Sequence, residues 1–373
     1  MLEVREVQTR REKRIFTGLN EKMYRNVPQA IPDILSDERD NFEPKKNPAF
    51  GFCQAKRWLA FRDGVPVGRI AGIVNQAANE KWGTKRIRFS RLDFIDDKEV
   101  SKALLETVEN WGRTLGLTEI HGPIGFCDMD QEGMLIEGFD EDGMMVTIHN
   151  APYYQEHLES LGYQKDVDWL EFQIQVPDQE LETLRRLQER ALKRYGLRLV
   201  EPKSRRELRP YISRAFDLLN RTYNGLYGTV PLTQGLVRKY YQQFMLLINP
   251  AYAKLLVDAQ EELVGLGFAV PSMNRAVKKS KGRLFPFGWY RILRAPFQKA
   301  EVLDLYLVAV APEYQNKGLA AVLLYSMTKE ARKRGIRFAE TGPELEENKQ
   351  VQGLWKFFET RQHRRRRCFV KNL

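Results

Sequence analysis

The sequence predicts a two-lobed α/β (α+β) protein, each lobe a mixed, mainly antiparallel sheet flanked by helices. Three observations lead there. The chain has 373 residues, a length that favours two domains over one. Two stretches run through the same order of hairpin, strand, helix and strand. Matching landmarks recur in both: Gly68 and Gly265 in the returning strand, Gly116 and Gly335 after the helix, Gly122-Pro123 and Gly342-Pro343 after the last strand. The expectation is an internal duplication, with lobes at residues 1–177 and 178–373.

In the first stretch, Trp58 to Phe61 turns at Arg62-Asp63-Gly64 and returns as Val65 to Val74. A strand over Arg86 to Phe94 follows. A helix over Glu99 to Leu115 places Val100, Leu104, Val108, Trp111 and Leu115 at three- and four-residue steps, the spacing of one helix face. Gly116 stops it, and Glu119 to His121 forms the next strand. In the second stretch, Lys254 to Val257 and Leu263 to Val270 form the hairpin, and Val302 to Val310 the strongly apolar strand. A helix over Gly318 to Arg334 carries Leu319, Val322, Leu323, Ser326, Met327 and Ala331 on one side. Arg337 to Glu340 closes the set. A strand over Trp169 to Val176 ends the first copy, and the charged helix Asp178 to Tyr195 is the expected junction.

Composition narrows the class. Hydrophobic residues make up 43% and charged residues 29%, which suits packed cores under a charged surface. No stretch approaches the roughly 20 apolar residues of a membrane span. The Arg- and Glu-rich start, Met1 to Arg14, lacks a signal peptide's apolar core. Cys53, Cys127 and Cys368 lie too far apart for a disulfide framework or a metal-ligand motif, and no metal is expected. The cytoplasm is the simplest location. A net charge of +11 attracts polyanions: nucleic acid, anionic lipid or a phosphorylated cofactor. Its foci are Asn274 to Lys299, with eight Lys/Arg and no Asp/Glu, and Arg364 to Arg367.

The segment with the clearest chemistry runs from Leu305 to Ala320. An apolar strand ends at Ala311-Pro312, a short polar turn follows, and a helix opens with small residues. The first N–H groups of a helix have no internal partners, and they point outward at the positive end of the helix dipole. Gly318 and Ala320 lack bulk, so a diphosphate could approach the backbone closely, with Lys317 adding charge at the rim.

Gln315-x-x-Gly318-x-Ala320, after a strand and Val-x-Ala-Pro, resembles the signature of GNAT acyltransferases. The hairpin, apolar strand, amphipathic helix, strand and second helix follow that family's order. The resemblance implies a tandem GNAT fold whose second lobe takes acetyl-CoA or another acyl-CoA. It implies a pyrophosphate loop made by Gln315, Asn316, Lys317, Gly318, Leu319 and Ala320. The strand carrying Val308 and Val310 would splay from its neighbour, and its free backbone groups would meet the pantetheine amides. Glu347-Asn348 with Val351, Leu354 and Trp355 resembles the family's next helix, which puts Asn348 near the pantetheine arm; Asn348 could equally serve as a helix N-cap. Trp355 stands where the family often has a tyrosine, and an indole cannot protonate a thiolate. Asp304, on the strand of Val308 and eleven residues before Gln315, is the candidate general base. The run Gly282 to Trp289, with Gly122-Pro123 and Pro152-Tyr153-Tyr154, is similar to a bacterial group of two-lobed GNAT-like acyltransferases of this length.

The implied activity is N-acyl transfer from acyl-CoA to the amine of a small-molecule or peptide acceptor by direct attack. The alternative is a non-catalytic GNAT-fold protein that binds a CoA-like ligand or nucleic acid, nucleic acid being the less favoured partner. A homodimer is compatible with either. In the first copy the matching helix start reads Asp96-Asp97-Lys98-Glu99. Carboxylates there compete with phosphate for the same N–H groups, so this lobe is expected to keep the fold without the cofactor. The loop region from Gly122 to Tyr154 could line an acceptor site or seal the lobes together. His121, His149 and His157 are expected to be structural. The aromatic and basic insertion Asn274 to Lys299 is open to four uses: packing between the lobes, a lid, a membrane contact or a nucleic-acid contact.

Overall fold

A computed structural model describes every residue, Met1–Leu373. The chain forms two compact units. Unit 1 comprises residues 1–170, 276–289 and 363–373, and unit 2 comprises residues 171–275 and 290–362.

In unit 1, strands β1 (Leu2–Glu6), β2 (Cys53–Arg62), β3 (Val65–Asn75), β4 (Arg86–Phe94) and β5 (Glu119–Gly122) lie in that order. The C-terminal strand Thr360–Asn372 follows beside β5, and β6 (Met134–Glu137) pairs with that C-terminal strand. Neighbours run antiparallel except β4 and β5, which are parallel. The helix Lys98–Thr114 turns Val100, Leu104, Leu105 and Val108 into the core. Leu115, expected to continue that stripe, is largely exposed because the helix stops one residue earlier. Gly68 lets the helix close on β3: a Cβ there would lie 2.7 Å from Leu104 Cδ1 and 2.9 Å from the Asp93 carbonyl oxygen. The three cysteines are buried and free.

Buried charge is a second feature of unit 1. Arg69 Nε pairs with Asp93 at 2.6 Å, and Arg91 pairs with both Glu38 and Asp130 at 3.1 and 2.6 Å. Arg88 donates to the Gly125 carbonyl and Asn75 to that of Phe126. These bonds tie the long Gly122 to Tyr154 region onto the unit's own strands.

Unit 2 repeats the plan. Strands β7 (Gln164–Gln175), β8 (Arg198–Val200), β9 (Ala253–Val257), β10 (Leu263–Pro271), β11 (Val302–Val310) and β12 (Phe338–Thr341) take the order β8-β9-β10-β11-β12-β7. The parallel pair is again the one joined through a helix, β11 with β12. The helix Leu319–Lys333 buries Leu319, Val322, Leu323, Ser326, Met327 and Ala331. The glycine landmarks occupy matching sheet positions: Gly68 opposes Phe94, the last residue of β4, and Gly265 opposes Val310, the last residue of β11. The helix Glu182–Tyr195, expected as a junction, is part of unit 2. It buries Leu184 and Ala191, and its Gln188 donates to Ser326 Oγ at 2.6 Å.

The division differs from the expected break between residues 177 and 178. The linear boundary falls at 170/171, and two segments from the second half of the sequence fold into unit 1. Pairing explains one of them, since Phe369 to Asn372 form ladder partners with β5. The insertion explains the other, since Leu35 N–H donates to the Gly282 carbonyl at 2.9 Å and Lys278 pairs with Asp142 at 2.9 Å. The Arg364 to Arg367 focus is likewise not a surface patch. Arg364 and Arg366 are 1% exposed and donate to the carbonyls of Asp142 and Ile148, while Arg365 and Arg367 bond Asp168.

Gly68→Val should overpack the interface with the helix and lower unfolding stability by about 1–3 kcal/mol. Gly51→Ala, where nothing lies within 4 Å of the added carbon, should change it by less than about 0.5 kcal/mol. Denaturant titration of both variants checks the contrast.

Candidate functional site

The site is built where β11 parts from β12. Their parallel register runs from Val302–Phe338 to Leu305–Thr341, and the Gly342 N–H donates to the Leu305 carbonyl. Beyond that point β12 no longer accompanies β11. On the other side, β10 stays paired as far as Val310, with one irregularity: Ala269 faces Leu305 and Phe268 faces Leu307, so Tyr306 is the extra residue of a bulge. A bulge re-aims the chain that follows it. Leu305 turns its backbone groups toward β12, whereas Ala311 donates to Val264 on β10. By alternation Val308 and Val310 then face the side that β12 has left. Their carbonyls confirm it, accepting from the Tyr223 hydroxyl and from Gln315 Nε2, each at 3.3 Å.

After Val310 a short 3-10 turn, Pro312–Tyr314, leads to Gln315 and the helix Leu319–Lys333. Asn316 and Gly318 have φ of 60° and 77°, left-handed values that fold the loop back over the helix start. Gly318 caps that helix with no side-chain bond. No protein group accepts from the N–H of Lys317, Gly318, Leu319 or Ala320. Asn316, Lys317 and Gly318 are exposed and Ala320 is half-buried, while the Leu319 side chain is buried and anchors the turn. The amides are thus open to an anion at the positive end of a helix. Lys317 Nζ sits 4.8 and 5.2 Å from the ring centres of Tyr314 and Tyr195, which holds the cation beside the loop.

The same place in unit 1 is filled from within. Asp97 Oδ1 accepts from the N–H groups of Glu99 (2.9 Å) and Val100 (3.4 Å) at the start of the helix Lys98–Thr114. At the end of β4, Phe94 N–H donates to the Tyr154 hydroxyl at 2.8 Å, and its carbonyl accepts from Tyr153 at 2.6 Å. His157 Nε2 lies 3.0 Å from Asp96 and its Nδ1 2.9 Å from the Ser101 hydroxyl. Tyr153 and Tyr154 thus bond the end of β4, and His157 bridges the side chains of Asp96 and Ser101 beside it.

Asp304 is 1% exposed and stands beside Glu340 in the β11–β12 register, so it is no solvent-facing edge carboxylate. Tyr306, two residues on, has a buried hydroxyl without a hydrogen-bond partner. Burial, and next the charge of Asp304, keep its phenol well above the ordinary range and therefore protonated. Asn348 is the N-cap of the short helix Lys349–Gln352, accepting from Val351 N–H at 3.4 Å. Trp355 donates from Nε1 to Glu344 at 3.1 Å. Glu344 and Tyr306 carry no sequence signal of their own; only the bulge and the packing single them out. An apolar pocket lined by Leu305, Met327, Ala331, Trp355 and Phe358 lies toward the far end of the same helix, and it belongs to the core of unit 2 rather than to the open amides.

In unit 1, His121, Asp166 and Cys368 bring potential ligand atoms within 4.8 Å of one another. Arg86 already donates to Asp166 at 3.0 Å. Burial holds the His121 imidazole down at about 4, with the nearby Arg88 and Arg86 charges adding to the effect against the Asp166 bond. Guanidinium cations at that distance repel a metal ion, so the cluster reads as packed polar interior. Burial also holds His149 at about 4.

Burial pushes the Glu344 carboxyl up to about 8, against hydrogen bonds from Trp355 and Thr341. A folded-state value above the ordinary 4.5 means that the fold keeps a proton the unfolded chain gives up. Its stabilisation is whole below pH 4.5 and is lost as pH rises through about 8. The melting-temperature advantage of Glu344→Gln over the natural chain should therefore grow across that window; a constant difference would contradict the assignment.

Comparison with known proteins bears on the fold. Residues 213–358 match the family model described as Acetyltransferase (GNAT) family. Protein YghO of Escherichia coli (strain K12) is 26% identical over 378 residues, covering 99% of this chain and 95% of YghO. The bacterial ceramide synthase of Caulobacter vibrioides (strain NA1000 / CB15N) is 25% identical over 333 residues, covering 89% of this chain and 86% of that protein. Among solved structures, a tandem GNAT protein from the clavulanic acid biosynthesis pathway superposes with a TM-score of 0.56 at 13% identity, covering 100% of this chain and 98% of that one. A GCN5-related N-acetyltransferase from Sphaerobacter thermophilus gives 0.50 at 11% identity, covering 100% and 95%. At such identities the likeness speaks for the fold alone. The chain has the tandem GNAT fold, and its segment 213–358 matches the GNAT acetyltransferase family model.

Proposed function

We propose that unit 2 transfers an acyl group from acyl-CoA to an amine by direct attack. The observation that carries this reading is the set of unbonded amides at Lys317, Gly318, Leu319 and Ala320, next to a strand whose backbone faces an opening. The diphosphate of CoA is read onto those amides, beside Lys317. The pantetheine arm is read along Val308 and Val310, adding itself to the strand edge as an extended peptide does. The thioester oxygen then lies against a strand N–H near Val308, which stabilises the negative charge formed during attack. Asn348, engaged as a cap, frames that arm through the position of its turn.

In the reaction the amine nitrogen bonds to the thioester carbon, and the tetrahedral adduct collapses by breaking the carbon–sulfur bond. The amine proton goes to a base, and the departing thiolate takes up a proton from water. Asp304 is the base in this reading. It precedes Val308 by four residues, about 13 Å along an extended strand, so it acts through a relay. Tyr306 lies between the two in sequence, and its phenol, unbonded in the free protein, is read as the relay that forms when substrate is bound. An amine acceptor is supported by the relative named as a ceramide synthase, because a ceramide is the amide formed when an amine is acylated. The acyl group is accordingly acetyl or longer, and the acceptor is a small molecule or peptide bearing an amine.

Gly318→Leu forces a β-carbon onto a φ of 77° and crowds the loop. Calorimetric titration with CoA should show affinity reduced about tenfold or more in a variant that melts normally; unchanged affinity would remove the site. Asp304→Asn should lower kcat about 100-fold while leaving KM for acyl-CoA in place.

A further inference from the structure

Within unit 1, the insertion Ala276–Trp289 does not tuck its aromatic residues into a core. Phe285 is 81% exposed, Phe287 68% and Trp289 46%. Lys279, Lys281 and Arg283 immediately precede them and are exposed too. No Asp or Glu occurs between Asn274 and Lys299. Large contiguous apolar exposure on a folded protein marks a contact with something else.

The base of this turn is firmly held. The Gly282 carbonyl accepts from Leu35 N–H, Gly282 N–H donates to Val277, and Trp289 N–H donates to Leu284. A β-carbon at Gly282 would meet the Asp33 carbonyl oxygen at 1.8 Å, and one at Gly288 that of Arg283 at the same distance. The turn therefore presents its tip in one arrangement. We propose that this tip is a docking surface for an anionic lipid bilayer. The order of residues picks that partner. Phe285 and Phe287 have no polar handle and are the most exposed apolar side chains of the turn, and the exposed cations Lys279, Lys281 and Arg283 precede them in the chain. That combination matches an interface with hydrocarbon within and phosphates above it. Single-stranded nucleic acid asks instead for cations interleaved with stacking rings along a groove. No helix of the protein is long and apolar enough to cross a membrane, so the contact is peripheral. It goes beyond the acyl-transfer reading and stands without it.

The test is co-sedimentation of the full chain with vesicles of phosphatidylcholine alone and of phosphatidylcholine mixed with phosphatidylglycerol. The chain should partition onto the mixed vesicles in preference to the neutral ones, and less so at high salt. Two double variants, Phe285→Ser with Phe287→Ser and Lys279→Glu with Lys281→Glu, should each lose about tenfold or more in partitioning with unaltered melting. Trp289 emission should be quenched by brominated lipid. Absence of binding to mixed vesicles, or binding by either double variant equal to that of the natural chain, overturns the proposal. So does retention on single-stranded RNA that the phenylalanine variants lose while their vesicle binding persists.

Discussion

One additional residue in β11 governs what unit 2 can do. Without the bulge at Tyr306, the strand would alternate regularly, and Val308 and Val310 would spend their backbone groups on β10. With it, the groups after Leu305 point to the side where β12 has departed. The same strand then runs into a turn whose cap is a glycine, so the following helix begins with unanswered N–H groups. A strand edge and a helix N-terminus, two places where secondary structure leaves hydrogen bonds unmade, are thereby set side by side. Polar backbone exposed in this way is stable because it faces solvent until a ligand arrives.

Unit 1 shows what happens when the same architecture is closed. Its helix start is answered by Asp97, and its strand end by the hydroxyls of Tyr153 and Tyr154. Each of these contacts is small, yet together they satisfy that end of the cleft with side chains. The two halves thus serve as each other's control: equal topology, with the helix-start amides bonded in unit 1 and without protein acceptors in unit 2. The contrast also bears on stability. The closed cleft of unit 1 is reinforced by buried ion pairs such as Arg69–Asp93.

Much of this was legible in residues. Hydrophobic spacing located the strands Arg86–Phe94 and Val302–Val310 to the residue, because a buried strand next to a glycine-stopped helix leaves few alternatives. Gly318 and Ala320 marked the turn into the helix Leu319–Lys333, whose first amides the structure leaves without protein partners. The C-terminal strand escaped notice because Arg364 to Arg367 break every pattern of a buried strand. Their guanidinium groups are satisfied by carbonyls of Asp142 and Ile148 and by Asp168, partners more than a hundred residues away in sequence. Membership of 276–289 in unit 1 was hidden likewise, since it depends on Asp33 and Leu35. Tyr306 and Glu344 acquire their character only from a bulge and from burial, and neither leaves a trace in spacing.

The central claim is that the amides of Lys317, Gly318, Leu319 and Ala320 receive the diphosphate of CoA. Nitrogen-15 amide resonances of the assigned protein, followed while CoA is added, test it most directly. Large shifts at those four positions that saturate together are the predicted result. If they stay in place while CoA binds elsewhere, or if CoA shifts no amide at all, the account of this site is wrong.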